Sequence, residues 1–293
     1  MADAPGFLAI GHVARDRDPD GDGFVIGGTA AYSALVASRL GLKVAMVTSF
    51  GPDCRLPSEF RGIEVSVVPS STTTAFTNLY SRDKRRQWVE SVAALIEVDH
   101  IPDTWRRVPI VHIGPIAQEV ALEVVGLLPD SLVCISPQGW LRSWGRDGEV
   151  RLTEWKGAEI VLRKADVLVL SENDLVAQPK AEQMYAEQVP VAIVTRGSQG
   201  ARVYVNGTCR QIPAAPAVEV DPTGAGDVFA AAFAIRYWEI REPLEASAFA
   251  ACAASFAVEW PGTSSIPTRE QIEGRLSRFD SAARRAAPNS LPP

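Results

Sequence analysis

The chain has 293 residues, of which 46% are apolar and 22% are charged, and its formal net charge at pH 7 is -6. These values are typical of a soluble globular protein with a large core. The negative charge argues against a nucleic acid or an acidic membrane surface as partner. The four cysteines lie far apart without a Cys-x-x-Cys pair, which indicates reduced thiols in a cytoplasmic protein rather than a zinc site.

No secretory or membrane segment is evident in the sequence. The first residues carry no positive charge before the first apolar run, and a secretory signal would require one. The most apolar helical stretch, residues 246–258, is too short to cross a bilayer, which takes about 20 residues. We therefore expect no membrane partner.

Strand and helix patterns alternate from the N-terminus onward. Residues 7–11 form an apolar run that ends in glycine, which predicts the first strand of a parallel sheet. Residues 29–40 have helical spacing and stop at Gly41, and residues 43–49 predict a second strand.

Residues 72–91 have the pattern of a β-hairpin. The first half alternates and is rich in β-branched side chains, and residues 81–84 predict a turn with a basic tip. Beyond the hairpin, the patterns predict an amphipathic helix at 117–127, a helix capped by residues 171–174, and strands at 108–114, 131–136, 165–170, 189–195 and 201–205.

A glycine-rich turn precedes the next apolar helix. Residues 218–220 predict a short strand, Gly224-Ala225-Gly226 predicts a turn, and residues 228–238 predict a buried helix because they are apolar on every face. Unpaired amides at the positive end of a helix form an anion site, and Asp227 lies beside it. An anion site next to a carboxylate base suits transfer of a phosphoryl group to a hydroxyl, although a purely structural turn uses the same residues.

The alternation of strands and helices predicts a parallel sheet with helices on both faces, joined by right-handed crossovers. The sequence contains no evident repeat or linker, so we expect one domain over residues 1–293. Residues 285–293 have the composition of a disordered tail.

The segment from Asp221 to Asp227 resembles the C-terminal signature of the ribokinase-like (PfkB-type) carbohydrate kinases. In that signature, aspartate and any residue precede threonine-glycine-alanine-glycine-aspartate. The start of the chain is similar as well, because Gly11 is followed by Asp16 and by Gly27-Gly28 before the first long helix. The resemblance covers residues 7 to about 279, with the motifs in the family's order, and implies a three-layer α/β/α sandwich with a mostly parallel central sheet and a small β-sheet lid.

The resemblance also implies an activity, namely ATP-dependent transfer of phosphate to a hydroxyl of a small sugar or polyol, with Mg²⁺ and, in some members, a monovalent cation. Asp227 would take the hydroxyl proton. The negative charge that develops would be held by the amides of Gly224, Ala225, Gly226 and Asp227.

The family's lid implies strands from about 14–26 and 72–91 here, and such lids often pair members into homodimers. At the substrate end the sequence departs from the family. Tyr32 stands where asparagine is usual, and Ser136 and Gln138 replace acidic and amide residues. The alternatives are that Asp16 lies in a solvated loop, that Phe76 and Asn78 belong to a simple surface hairpin, and that Arg142 is a surface arginine. The implied substrate contacts are Asp16, Gly27, Gly28, Phe76, Asn78, Gln138 and Arg142.

At the donor end, the family's threonine-x-glycine-x-x-glycine loop is matched by residues 195–200, although a plain hairpin turn would need the same glycines. Core packing is the alternative for Ala253. The implied nucleotide contacts are Thr195, Gly197, Gly200, Thr223, Ala253, Phe256 and Gly262. The family's asparagine-x-x-glutamate is reduced to Ser171 and Asp174 here, which leaves Asp174 and Glu172 as candidate magnesium ligands.

The favoured function is therefore an ATP-dependent polyol or sugar kinase, and the departures at the substrate end favour a myo-inositol-kinase-like branch. Ribose, nucleoside and ketose kinases of the same fold remain alternatives, as does a non-catalytic sugar- or nucleotide-binding regulator. A dehydrogenase would need Gly-x-Gly-x-x-Gly after the first strand, which Gly11-His12-Val13-Ala14 lacks.

Overall fold

The computed structural model describes residues 4–17, 23–81, 84–178 and 180–286. Its strands in the described part are β1 Phe7–Ile10, β2 Ala14–Arg17, β3 Phe24–Gly27, β4 Val44–Phe50, β5 Glu64–Pro69, β6 Thr74–Ser81, β7 Lys84–Ser91, β8 Ile110–Ile113, β9 Leu132–Ile135, β10 Arg142–Trp144, β11 Val150–Leu152, β12 Val167–Ser171, β13 Val191–Thr195, β14 Ala201–Val205 and β15 Thr208–Ile212. The α-helices are α1 Thr29–Arg39, α2 Ala158–Leu162, α3 Ala181–Ala186, α4 Ala225–Ile240, α5 Pro243–Ala257 and α6 Arg269–Ala286.

The large sheet has nine strands in the order β15-β14-β13-β12-β9-β8-β1-β4-β5. The strands from β13 to β5 in this order all run parallel, and β14 and β15 add an antiparallel edge. β1 lies near the middle of the sheet and is completely buried, as its uninterrupted apolar sequence predicts.

Alternate side chains of each central strand enter two separate cores. Phe7 and Ala9 of β1 pack with α1, α4 and α5 on one face. Leu8 and Ile10 pack on the other face, where short helical turns, α2 and α3 cover the sheet. The two cores give the three-layer α/β/α sandwich that the sequence predicts.

A second, four-stranded sheet has the order β3-β2-β6-β7. We call it the small sheet. It includes the predicted hairpin, with β6 and β7 paired antiparallel, while β2 pairs parallel to β6. Residues 18–22 of the predicted lid segment and residues 82–83 of the hairpin turn lie outside the described residues.

Three local predictions are wrong. Residues 117–127 form no α-helix, because Glu119 folds back to accept the Ile116 and Ala117 amides, and only a 3-10 turn follows at Leu122–Leu127. Residues 171–174 cap a 3-10 turn, Glu172–Leu175, rather than a long helix.

Residues 218–220 form no strand, since the Val220 amide bonds to the Val258 carbonyl at the end of α5 instead of joining a sheet. At the C-terminus, α6 continues to Ala286, and the rest of the predicted tail lies outside the described residues.

Candidate active site

The candidate residues gather where the parallel strands end. Gly11 follows β1, Gly114 follows β8, Ser136 follows β9, and Thr195 ends β13. All these ends lie on one edge of the sheet because the strands are parallel. Ligands of open α/β sheets bind at this edge.

The signature turn from Asp221 to the start of α4 is fixed by its own side chains. Asp221 Oδ1 accepts the Thr223 amide at 2.9 Å, and the Pro222 carbonyl accepts the Ala225 amide at 3.3 Å. Gly224 has a φ of 79°, which favours glycine. The amides of Gly226 and Asp227 in the first turn of α4 make no hydrogen bond to a described residue, so they remain available to an anion.

Asp227 is half-buried, and its carboxylate is held from α1. Thr29 Oγ1 donates a hydrogen bond to Asp227 Oδ1 at 2.8 Å. Burial raises the pKa of Asp227 to about 6, while the Thr29 hydrogen bond and the positive charge of Arg142 act to lower it. The negative charges of Asp174 and Asp16 raise the pKa further. A carboxylate that titrates near neutral pH is suited to act as a general base.

Tyr32 explains one departure from the family pattern. Its side chain is 2% exposed, and a Cβ on Gly224 would lie only 2.3 to 2.6 Å from three atoms of its ring. The tyrosine ring therefore packs directly against the glycine of the signature turn. Sequence reasoning identified the residue as a departure from the family but missed this contact.

The paired glycines are needed by the protein's own atoms. A Cβ on Gly27 would lie 2.2 Å from Asp16 Oδ2, so the carboxylate of β2 sits over the end of β3. Gly28 has a φ of 93°, and a Cβ there would lie 2.3 Å from the His12 carbonyl oxygen. The space that a side chain at either glycine would take is thus filled by Asp16 and by the chain after β1, and a substrate contact at these glycines stays a prediction.

One face of the small sheet turns toward Arg142. In the register of β6 and β7, Phe76 opposes Val89 and Asn78 opposes Gln87. Opposed residues of an antiparallel pair share a face, as do alternate residues of one strand, so these four side chains lie together. Phe76 is buried, and the Arg142 guanidinium lies 5.9 Å from the centre of its ring.

Gln87 is a candidate that sequence reasoning missed. It is 8% exposed and opposes Asn78 across the β6–β7 pair, on the face that includes the buried Phe76. The side-chain amide of Gln87 can both donate to and accept from the hydroxyl groups of a substrate that binds on this face. Its place opposite Asn78, itself a predicted contact, is the signal that would have identified it.

Arg142 is 7% exposed and donates a hydrogen bond to the Ile116 carbonyl at 3.1 Å. It is therefore a buried arginine rather than a surface one, and its charge acts on Asp227. Gln138 is half-buried and begins a 3-10 turn that leads directly to β10. Both residues thus lie between the end of β9 and the small sheet.

Two buried histidines connect the strand ends to neighbouring elements through hydrogen bonds. His12 Nε2 contacts the Ala94 carbonyl at 2.8 Å and Nδ1 contacts Thr74 Oγ1 at 2.6 Å, which links the end of β1 to the small sheet. His112 lies between Ser33 at 2.7 Å and Ser136 at 2.9 Å. Burial lowers the pKa of His112 to about 3, so it is neutral at physiological pH.

The loops after β12 and β13 meet at an ion pair between Arg196 Nε and Glu172 Oε2, 3.0 Å apart. Asp174 is 8% exposed, and its Oδ2 accepts the Ser171 amide at 2.9 Å. Glu172 is therefore engaged with an arginine, while the buried Asp174 lies close enough to act on Asp227.

In the predicted donor loop, Gly197 and Gly200 both have positive φ values, and Gly200 lies against the Ile212 carbonyl oxygen. Thr195 donates a hydrogen bond to the Leu170 carbonyl at 3.3 Å. The hairpin turn alone is therefore sufficient to require both glycines, which is the alternative interpretation given from the sequence.

Of the remaining predicted donor contacts, Ala253 is fully buried in the core. Phe256 is half-buried, and the guanidinium of Arg275 lies 3.4 Å from the centre of its ring. Gly262 has a φ of 65° and lies against Val25 of the small sheet, where a Cβ would come within 2.9 Å of Val25 Cγ1. The turn after α5 therefore touches the small sheet.

Within the described ranges, no group of three or more His, Cys, Asp or Glu side chains is arranged to hold a metal ion. The same part of the chain contains no helix with the length and apolar character needed to span a membrane.

Comparison with known proteins places these features in a family. A model of the pfkB family carbohydrate kinases matches residues 147–269. A cytidine kinase of Thermococcus kodakarensis is 28% identical over 262 residues, which cover 81% of this chain and 90% of the relative. An inositol 3-kinase of Oryza sativa subsp. japonica is 30% identical over 243 residues, which cover 72% of this chain and 57% of the relative.

The fold agrees with these relatives. A solved structure of a pyrophosphate-dependent kinase in the ribokinase family superposes with a TM-score of 0.77 and 22% sequence identity. The superposition covers 91% of this chain and 99% of that one.

Proposed function

We propose that this chain, a carbohydrate kinase of the ribokinase-like PfkB family, uses ATP to phosphorylate a hydroxyl of a cyclic polyol similar to myo-inositol. The observation that carries the proposal is the pairing of a general base with an anion site. Asp227, with its raised pKa, lies in the same helix turn as the free amides of Gly226 and Asp227.

In the proposed reaction, Asp227 accepts the proton of the substrate hydroxyl as its oxygen attacks the γ-phosphate. The amides at the start of α4 then stabilise the charge on the transferred group, since they are oriented before the reaction begins. Of the four amides expected to contribute, that of Ala225 already bonds to Pro222. We therefore assign the larger part to Gly226 and Asp227.

The apolar surface beside the signature turn supports a nucleotide donor. Val218, Val220 and Trp260 are 77%, 60% and 66% exposed, and hydrogen bonds from Val220 and Asp221 to Val258 hold their segments side by side. A nucleobase can cover such side chains, whereas pyrophosphate has no apolar part. The similarity of the fold to a pyrophosphate-dependent kinase makes the donor a necessary part of the test.

The substrate end supports a polyhydroxylated acceptor. Asp16, Asn78, Gln87, Gln138 and Arg142 provide both acceptors and donors around the space between the small sheet and the strand ends. Hydroxyl groups pair with both kinds of partner. The identity to a rice inositol 3-kinase supports the cyclitol, and the identity to a cytidine kinase keeps nucleosides as the second class.

The donor end fits a magnesium ion bound mainly by phosphate and water. Asp174 is a buried carboxylate near Asp227, and Mg²⁺ commonly uses only one or two protein carboxylates. Glu172 is held by Arg196 and would serve only after that pair opened. Bound magnesium would neutralise charge on the donor phosphates. The monovalent cation and the homodimer stay predictions.

A donor and acceptor matrix tests this function. The purified protein is incubated with ATP or pyrophosphate and with myo-inositol, pentoses, hexoses or nucleosides, and the phosphorylated product is measured directly. We expect product from ATP with a cyclitol. Product formed only with a nucleoside would show that the acceptor is a nucleoside rather than a cyclitol. Product formed only from pyrophosphate would show that the donor is pyrophosphate rather than ATP.

The Asp227→Asn variant separates an enzyme from a regulator. Because the base is lost and the shape is kept, we expect turnover to fall by at least about 1,000-fold while calorimetry shows nearly unchanged ligand binding. If the unmodified protein binds both ligands but yields no product, it is a regulator and the proposal fails.

A further inference from the structure

Building on the proposed role of Asp227, we propose that Thr29 is a positioning residue that holds the Asp227 carboxylate in its reactive orientation. The Thr29 hydroxyl donates to Oδ1 at 2.8 Å. The second oxygen, Oδ2, makes no hydrogen bond to a described residue and is the one left for the substrate hydroxyl. This places Thr29 outside the reacting atoms but in direct contact with the base.

The orientation of the Thr29 hydroxyl is itself fixed. Thr29 is 2% exposed, and a Cβ on Gly114 would lie 2.0 Å from its Cγ2 and 2.6 Å from its Cβ. The methyl group therefore fills the space that a side chain at residue 114 would take. Because threonine is branched at Cβ, a fixed methyl group also fixes the hydroxyl.

Gly114 is fixed in turn by the central strands. Its amide donates to the Ile10 carbonyl at 2.9 Å, and its own carbonyl oxygen lies 2.5 Å from where a Cβ on Gly11 would stand. The support for the base thus begins in the buried ends of β1 and β8, which are neighbouring strands in the interior of the large sheet.

The same helix turn supports the anion site. Tyr32, three residues after Thr29 on α1, packs its ring against Gly224 of the signature turn. The first turn of α1 therefore holds both the carboxylate and the glycine that begins α4. The charged groups that act on Asp227 are Arg142, Asp174 and Asp16. Because Thr29 has no charge, it orients Asp227 Oδ1 without changing the net charge around the carboxylate.

Two substitutions separate the hydroxyl from the methyl group. Thr29→Val keeps the packing at Gly114 and removes the donor, so we expect kcat to fall about 10- to 100-fold with KM values changed less than about twofold. Thr29→Ser keeps the donor and should recover most of kcat. Ser33→Ala is the matched control, since it removes a buried hydroxyl from the same helix that bonds to His112 instead.

A measurement without turnover completes the test. The carboxyl carbon of Asp227 is titrated by NMR in the wild-type protein and in Thr29→Val, with Asp227→Asn identifying the signal. We expect the pKa of Asp227 to rise in Thr29→Val, because a hydrogen bond to the charged form is lost. Equal kcat losses in the valine and serine variants, or an unchanged Asp227 pKa, would overturn the role of Thr29. Full activity of Asp227→Asn would instead overturn the proposed function.

Discussion

At the scale of single residues, the pH dependence of the reaction should follow Asp227. Burial raises its pKa to about 6, and the base accepts a proton only when it is ionised. We expect kcat/KM with saturating donor to fall about tenfold per pH unit below that value and to be level just above it. A steady-state profile between pH 5 and 8 measures this limb, and a level profile down to pH 5 would contradict the assignment.

The raised pKa of Asp227 also affects the free energy of unfolding. Between the ordinary carboxyl pKa and about 6, the folded protein holds this proton more tightly than the unfolded chain, so stability falls as pH rises through that window. Asp227→Asn removes the burial of charge and should be more stable than wild type by about 1 to 3 kcal/mol at pH 8. Urea unfolding at pH 8 and pH 4 measures the gain, which should disappear at pH 4. A gain that persists there would point to another cause.

At the scale of secondary structure elements, the small sheet is expected to select the acceptor through Gln87. Gln87 is 8% exposed on the face of the small sheet that includes Phe76 and Asn78, so we expect its amide to pair with a substrate hydroxyl. We expect Gln87→Leu to raise the acceptor KM by about 10- to 100-fold while the donor KM changes little.

Leu79→Ala is the control for this variant, because Leu79 is 56% exposed on the other face of β6. An unchanged acceptor KM in Gln87→Leu, or an equal change in Leu79→Ala, would show that Gln87 does not contact the acceptor.

The elements also show what sequence patterns predict well. Continuous apolar runs identified the buried parallel strands, since burial on both faces leaves no polar position. The prediction of a helix at 117–127 was wrong because Glu119 accepts hydrogen bonds from backbone amides that a helix start would leave free. The spacing of apolar residues carries no information about that contact. At the site, the motif located Asp227 and Gly224. Thr29 and Tyr32 act through contacts distant in sequence, since Thr29 and Asp227 are 198 positions apart, whereas Gln87 is identified only by the register of the hairpin that places it opposite Asn78.

At the scale of the whole molecule, one continuous segment connects the two ends of the site. β3 lies in the small sheet and runs through Gly27 and Gly28 into α1, whose first turn holds Asp227 and packs on Gly224. Val25 of β3 also lies against Gly262, in the turn after α5 on the donor side. Acceptor and donor would therefore both order the same segment, and ordering that is shared by two ligands makes their binding cooperative.

We therefore expect the acceptor to lower the Kd of the donor by about fivefold or more, and the donor to lower the Kd of the acceptor by the same factor. Calorimetry on Asp227→Asn measures both values without turnover. Val25→Ala should reduce the coupling, since it removes the contact with Gly262 but no proposed ligand contact. Val68→Ala, a buried residue of β5 on the far edge of the large sheet, is the control for loss of packing alone. Equal donor affinity with and without acceptor would show that the two ends of the site bind independently.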